Sequence, residues 1–180
     1  MMKVIRILCT LLAWGLAAGA AQAQNIDSRY ILGPGDLIRV SVFGEADLSF
    51  DRIQLNDAST FSYPFLGTVN AKGKTVKDVE YLLIKGLRDG YLIDPKITVS
   101  ILEYREFYVN GEVRNPGGYP FQPGMTLRKA VALAGGFSER ASRSAFYIIH
   151  DQDPNRKSRK ANLDTQVMPG DIITIEESFF

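Results

Sequence analysis

The sequence predicts an α+β fold made of two small domains, each combining a few short strands with one helix. Apolar residue types make up 46% of the 180 residues and charged types 23%, which is an ordinary globular composition. Each half of the chain has short segments of alternating apolar residues and one segment with helical apolar spacing. The turn Pro34-Gly35-Asp36 returns as Pro169-Gly170-Asp171, so the second half repeats part of the plan of the first.

The first half opens with a turn and a strand that has one apolar face. Gly33–Asp36 suits a type II turn, because proline takes its second position and glycine its third. Two further short strands, Arg52–Leu55 and Phe61–Leu66, are predicted on either side of a turn over Asn56–Ser59. The first strand, Leu37–Phe43, places three alternating residues on its core side: Ile38, Val40 and Val42.

A helix beginning after Thr75 is predicted next. The Thr75 hydroxyl can accept a hydrogen bond from a free amide of the first helical turn, and Asp78 three residues later supports this start. Gly90 and Asp94-Pro95 end the helix, and alternation over Ile97–Glu103 predicts the strand that closes the first domain. The apolar residues of the helix have the spacing of one buried face: Val76, Val79, Leu82, Leu83 and Leu87.

The second half predicts a similar series of elements. A strand over Phe107–Asn110, a turn over Asn115–Gly118 and a short strand over Tyr119–Phe121 lead to a helix capped by Thr126. Gly135-Gly136 stands where a helix C-terminus favours glycine. Four residues form the inward side of this helix: Leu127, Ala130, Val131 and Ala134.

The last strands and the domain boundary complete this prediction. Closing strands are expected over Phe146–His150 and Ile172–Ile175, with the charged stretch Asp151–Lys160 between them as an exposed hairpin loop. A boundary near Tyr104 divides the chain into domains at residues 24–103 and 104–180. Domains of about 75 residues bury little surface alone, so we expect them to pack against each other or against neighbouring subunits.

The first 23 residues are predicted to be a secretory signal peptide that is cut after Ala23. Lys3 and Arg6 precede an apolar run over residues 7–20, and small residues stand at both recognition positions of Ala21-Gln22-Ala23. The run is shorter than the roughly 20 residues of a membrane-spanning helix. Cys9 lies too early in the run to become a lipidated N-terminus. The remaining 157 residues, with a net charge of −1, contain no cysteine, so we expect an exported protein without disulfides.

The sequence contains no catalytic, cofactor-binding or metal-binding set that can be assigned. His150 is the single histidine, and we expect it to be exposed at the end of its strand. Gly67–Thr75 has five residues between its outer glycines where a phosphate-binding loop has about four, so we interpret it as a turn and helix cap. Spacing alone leaves a carboxylate-pair enzyme open. Four acidic residues occupy turn or cap positions: Asp36, Asp78, Asp94 and Asp171.

Two groups of side chains in or beside the second domain are candidate contacts for a partner or a polymer. A basic run of this kind is usually a solvated face, and the alternative is a contact for an acidic polymer. Nucleic acid is not expected as a partner, because 21 basic residues face 20 acidic ones. The basic group is Arg140, Arg143, Arg156, Lys157, Arg159 and Lys160. The aromatic group is Tyr104, Tyr108 and Tyr119, beside Phe121, which we expect in the core.

Several segments together resemble the Wza-like family of outer-membrane polysaccharide export proteins. Tyr30–Phe43 resembles the opening of the family's N-terminal polysaccharide export domain, and Asp94–Val99 resembles the strand that closes it. Phe107–Tyr119 resembles the start of the SLBB-type β-grasp domain that follows, and Gly124–Leu127 and Ala134–Phe137 match its helix and helix end. The resemblance covers nearly all of the predicted mature chain and implies a β-grasp fold for the second domain.

The resemblance implies a periplasmic, outer-membrane-associated protein that forms a homo-oligomeric ring and conducts polymer without being an enzyme or using a cofactor. Its implied partners are an inner-membrane polysaccharide copolymerase, a separate outer-membrane pore protein and the exported polysaccharide. Longer relatives carry a C-terminal pore-lining helix, whereas this sequence stops at Phe179-Phe180, so we expect another protein to supply the pore. Two alternatives stay open: a free periplasmic glycan- or small-ligand-binding module, and an exported glycan-processing enzyme.

Overall fold

The structure, a computed structural model, describes residues 30–178. The predicted signal peptide, including Cys9, and the terminal Phe179-Phe180 lie outside these residues. Within the described range, none of the helices combines the length and the apolar character that crossing a membrane requires.

The first unit is built on a three-stranded antiparallel sheet with the order β2-β1-β5. Strand β1 spans Leu37–Val42, β2 spans Phe50–Gln54 and β5 spans Ile97–Glu103. A short 3-10 helix at Ala46–Leu48, which the sequence pattern does not predict, connects β1 to β2. The predicted inner face of β1 is confirmed, because its three residues are buried in the first core: Ile38, Val40 and Val42.

A two-stranded hairpin covers one side of this core. Strand β3 spans Thr60–Tyr63 and pairs antiparallel with β4, which spans Gly67–Asn70. The interpretation of Gly67–Thr75 as a turn and helix cap is therefore wrong for its first four residues, which form β4. The pairing of β4 depends on β3, and Val69 is the single buried residue of this strand. One buried residue produces no alternation that a sequence pattern could reveal.

The predicted helix start at Thr75 is confirmed as a capping box for α1, which spans Val76–Arg88. The Asp78 amide donates to the Thr75 hydroxyl over 3.3 Å, and the Thr75 amide donates back to the Asp78 carboxylate over 2.8 Å. These bonds from Thr75 hold the pKa of Asp78 below its usual value. The backbone amides of Thr75 and Asp78 are thus both hydrogen-bonded within the first helical turn.

The buried face of α1 is narrower than the sequence pattern predicts. Four of the five predicted residues are buried, whereas Leu82 is 36% exposed. Successive helical residues are rotated by about 100°, which places Leu82 outside the arc that the other four share. The buried residues are Val76, Val79, Leu83 and Leu87.

Two alanine substitutions on α1 test this difference. We expect Leu83→Ala to lower the free energy of unfolding by roughly 3 kcal/mol, because it leaves a cavity at a fully buried position. Leu82→Ala removes the same atoms from a partly exposed position and should cost less than about 1 kcal/mol. Urea denaturation followed by circular dichroism measures both values. Equal losses would contradict the orientation of the helix.

The second unit is a five-stranded mixed sheet with the order β7-β6-β10-β8-β9. Its central pair, β6 at Phe107–Gly111 and β10 at Ile172–Glu177, is parallel. The other neighbours are antiparallel and involve β7 at Gly117–Tyr119, β8 at Ala141–Ile149 and β9 at Arg159–Ala161. A mixed sheet with one packed helix agrees with the α+β fold predicted from the sequence.

The helix of this unit, α2, spans Leu127–Leu133 and begins as predicted. The Lys129 amide donates to the hydroxyl of the cap residue Thr126 over 3.4 Å. The Gly136 amide donates to the Val131 carbonyl over 2.9 Å as the chain turns away from the helix. Phe121 is buried, as expected, together with the four predicted helix residues: Leu127, Ala130, Val131 and Ala134.

Strand limits in the second unit differ from the predicted ones. Strand β7 begins at Gly117, inside the predicted turn, because two glycines there pair with β6. Strand β8 begins at Ala141, although its first half has exposed polar residues that mask the pattern. The predicted hairpin loop Asp151–Lys160 follows β8, but its last two residues belong to β9, which pairs with β8. Asp151 at the start of the loop is only partly exposed.

Candidate functional site

The repeated turn of the sequence is also repeated in three dimensions. The Asp36 carboxylate accepts from the Gly33 amide over 2.8 Å, and the Asp171 carboxylate accepts from the Met168 amide over 2.8 Å. The glycine before each aspartate has a positive φ, +88° at Gly35 and +84° at Gly170. The two aspartates therefore close equivalent turns, in agreement with their predicted structural positions.

Each turn aspartate also binds the chain that leaves a neighbouring strand. Asp36 accepts from the Arg105 amide over 2.9 Å, just after β5, and Asp171 accepts from the Asp151 amide over 3.1 Å, just after β8. Both carboxylates are almost completely buried, at 0% and 1% exposure. In each unit, a buried aspartate just before one strand thus hydrogen-bonds the backbone just after the antiparallel neighbouring strand.

Arg105 joins the two turns. One guanidinium nitrogen lies 3.2 Å from the Asp36 carboxylate, and the other terminal nitrogen lies 2.9 Å from the Asp151 carboxylate. Its side chain is 12% exposed and passes directly over Gly33 and Gly170, where a Cβ atom would come within 2.8 Å of the guanidinium. This group of contacts, called the junction below, connects the first unit to the second.

Ionisable groups at the junction are perturbed by burial. The Tyr30 hydroxyl lies 2.8 Å from the Asp36 carboxylate, and burial together with that negative charge raises the pKa of Tyr30. Tyr30 therefore stays a protonated donor. Burial also raises the pKa of Asp171, against the opposing effect of its amide donors and of His150. The expectation of a simply exposed His150 is wrong, because its Nδ1 lies 2.9 Å from Asp171 and its side chain is 34% exposed.

A cleft of about 350 Å³ opens beside the junction. It brings together two of the predicted contact residues, Tyr108 and Arg156, which are separated along the chain. Tyr108 is 45% exposed, and Arg156 lies 3.0 Å from the Asp151 carboxylate. An aromatic face beside charged hydrogen-bonding groups is suited to binding a polar ring compound. The cleft is lined by Pro34, Arg105, Glu106, Tyr108, Asp151 and Arg156, among others.

Comparison with known protein families matches both units. Residues 24–102 match the family model described as polysaccharide biosynthesis/export protein, and residues 107–159 match the SLBB domain. The chain belongs to the Wza-like polysaccharide export family. The resemblance noted in the sequence is confirmed, and so is the SLBB assignment of the second unit.

Individual relatives in this family are longer. The exopolysaccharide production protein ExoF of Rhizobium meliloti is 35% identical over 67% of this chain and 31% of its own length. The EPS I polysaccharide export outer membrane protein EpsA of Ralstonia nicotianae is 28% identical over 61% of this chain and 35% of its own. The polysialic acid transport protein KpsD of Escherichia coli is 27% identical over 83% and 26% respectively. The chain thus spans about a third or less of each of these relatives.

The other two tyrosines of the predicted aromatic group, Tyr104 and Tyr119, do not line the cleft beside the junction. Tyr104 packs edge-on against Tyr30 at 5.0 Å and against Phe121 at 5.2 Å, so it lies between the two cores. The Tyr119 hydroxyl donates to the Asn115 carbonyl, and its ring lies 6.1 Å from that of Phe107. Tyr108 is the predicted tyrosine that lines the cleft.

The predicted basic residues do not form one continuous surface. Three of them are held in ion pairs: Arg140 with Glu177, Arg156 with Asp151 and Arg159 with Asp153. Lys157 is exposed in the loop between β8 and β9. Arg143 and Lys160 instead line a separate groove on the second unit.

Arg105 is the residue that sequence reasoning missed. The repeated turn is visible in the sequence. Arg105, which links the two turns, lies just after the end of β5, and no sequence pattern distinguishes it there. Among residues 30–178, no group of three or more His, Cys, Asp or Glu side chains is arranged to hold a metal ion. The buried acids of the junction are occupied by amide and guanidinium donors, which is the arrangement of structural carboxylates.

Proposed function

We propose that this chain is a periplasmic subunit of a polysaccharide export machine that assembles with copies of itself into a ring. In this proposal the ring conducts polymer from an inner-membrane polysaccharide copolymerase toward a separate outer-membrane pore protein, without catalysis. The observation that carries the proposal is the presence of both family domains, in order, on one chain. The proposed mature protein contains domains at residues 24–103 and 104–180, after removal of residues 1–23 as a signal peptide.

The names of the relatives support a polymer as the cargo. ExoF is named for exopolysaccharide production, EpsA for export of a polysaccharide as an outer membrane protein, and KpsD for transport of polysialic acid. We therefore propose that the cargo of this chain is an exopolysaccharide or capsule-type polymer. We also propose that the chain lies on the outer-membrane side of the periplasm.

Exposed apolar side chains at the end of the first unit that faces away from the junction support self-association. Phe43 follows β1 and is 83% exposed, and Ile93 in the loop before β5 is 98% exposed. Phe65 and Tyr91 stack on each other at 4.6 Å, and both are at least half exposed. Large exposed apolar groups of this kind are stabilised when another protein covers them.

Deletion of the gene tests the export role. We expect polymer to accumulate inside the cell and to disappear from the medium or the cell surface, because the path across the periplasm is broken. Quantifying extracellular and cell-associated polymer measures this, and a plasmid carrying the intact gene should restore export. Unchanged export in the deletion strain would contradict the proposal.

The cleft beside Tyr108 favours a second candidate, a free periplasmic glycan- or small-ligand-binding module. The two candidates differ in their mass in solution, which sedimentation equilibrium of the purified exported protein measures. A ring subunit should give a defined multiple of the subunit mass. A strict monomer that binds a sugar with micromolar affinity would favour the module.

A further inference from the structure

A groove on the second unit, which shares no lining residue with the cleft beside Tyr108, is lined by basic, apolar and neutral polar side chains. It has a volume of about 480 Å³ and lies between β8, β9, the loop after β9 and the start of α2. Volumes of this order accommodate small ligands. We call it the basic groove, and its principal lining residues are Arg128, Arg143, Phe146, Lys160, Asn162 and Leu163.

The charges of the basic groove are not balanced from within. Arg128 lies 3.1 Å from Asp164, which is the acidic residue of the lining. Arg143 and Lys160 have no carboxylate within ion-pair distance among residues 30–178, unlike the three predicted basic residues held in ion pairs. The groove therefore has two cations whose charge no neighbouring carboxylate neutralises.

Arg143 is held in place although no acid binds it. Its guanidinium lies 5.0 Å from the centre of the Phe137 ring, and this ring stacks on Phe146 at 5.6 Å. A guanidinium on an aromatic face keeps its N–H groups directed outward in the plane, where they can donate to a carboxylate. The Arg143 side chain therefore loses less conformational entropy when an anion binds.

The remaining lining fits a sugar ring better than a simple anion. Leu163 is partly buried and packs against the second core, so it provides an apolar surface on which the C–H face of a sugar can rest. Exposed Ser144 and Asn162 stand at the rim and offer hydroxyl and amide groups to sugar hydroxyls. An apolar surface beside cations and neutral hydrogen-bonding groups matches a sugar that carries a carboxylate.

We propose that the basic groove binds an acidic sugar residue of the exported polymer, with Arg143 and Lys160 receiving its carboxylate. The proposal rests on the proposed export function for the origin of the ligand. The binding itself is a property of the purified chain and is tested without export.

The test is titration of the purified exported protein with two probes of equal length. Tetragalacturonic acid supplies carboxylated rings and maltotetraose supplies neutral ones. Calorimetry gives the dissociation constants, and ¹⁵N chemical-shift changes locate the binding surface. The variant Arg143→Glu/Lys160→Glu removes the proposed contacts. Lys72→Glu/Lys77→Glu makes the same change in net charge at exposed positions of the first unit and is the matched control.

We expect the groove variant to weaken binding of the acidic tetramer by about tenfold or more, because it removes charged hydrogen bonds. The control should stay within about twofold of the wild-type protein, and shift changes should map to β8, β9 and the start of α2. Melting curves check folding, and Arg143→Gln/Lys160→Gln replaces the groove variant if the double charge reversal unfolds the domain.

Three results would overturn the proposal. They are equal weakening in both charge-reversal variants, equal binding of the neutral tetramer, and no binding of the acidic tetramer by the wild-type protein. Loss of the export function is read separately, from polymer retention in the deletion strain. If the protein supports export but does not bind the acidic tetramer, the proposed function stands and the proposal for the basic groove is contradicted.

Discussion

A Gly111→Ala variant is expected to lower the free energy of unfolding by about 4 kcal/mol or more and to disrupt the second unit. Gly111 ends β6 with φ at +82°, and an added Cβ atom would lie 2.1 Å from the Ile175 carbonyl oxygen. That carbonyl belongs to β10, the parallel partner of β6 at the centre of the sheet, and it accepts from the Glu112 amide over 2.9 Å. Backbone on the neighbouring strand cannot give way as a flexible side chain can.

Gly117→Ala provides the matched control for this prediction. Gly117 begins β7 in the same hairpin, and an added Cβ atom there would meet nothing within 4 Å. We expect its stability to change by no more than about 0.5 kcal/mol. Urea denaturation of both variants measures the difference, and a Gly111→Ala protein as stable as the control would refute this account of the central pair.

Asp36→Ala is expected to lower the free energy of unfolding by about 3–5 kcal/mol, because it leaves buried donors without their acceptor. The carboxylate accepts from the Gly33 amide, the Arg105 amide, the Arg105 guanidinium and the Tyr30 hydroxyl, all within 3.3 Å. The Arg105 side chain is 12% exposed, so water replaces the lost partner poorly. The contact between the two units should loosen together with the first turn.

An exposed ion pair serves as the control for Asp36. Asp51 lies 3.2 Å from Arg39, and its side chain is 90% exposed. Asp51→Ala should leave stability almost unchanged, because exposed pairs gain little over hydration. Thermal and urea unfolding of both variants compare the two positions. If Asp36→Ala lowered the free energy of unfolding no more than Asp51→Ala, the contacts of the junction would not stabilise the fold as proposed.

Local elements of the fold were predictable because each depends on neighbours a few residues away. The alternation in β1 and the capping box of Thr75 and Asp78 are patterns of this kind, and the structure confirms both. Leu82 marks the limit of such reasoning. Apolar spacing placed it on the buried face, but the position of the sheet and hairpin around α1 decides how wide that face is.

The candidate sites were only partly predictable. Tyr108, Arg156, Arg143 and Lys160 were chosen from residue type, and they line two different cavities. Residue type could not separate them from Arg140 and Arg159, which bind nearby carboxylates. The carboxylates concerned come from other strands and from the chain's own turns, so their distances depend on sheet register.

The sequence alone determined the α+β character of the chain, most of its strands, both helix starts and the repeated turn that closes each unit. Only the tertiary structure decided how the two units meet, since Arg105 and Asp36 are 69 residues apart and no periodic pattern relates them. The physical reason is one of range. Hydrophobic periodicity and capping act within one or two turns of chain, whereas the junction and the basic groove arise from side chains that distant strands bring within about 3–5 Å.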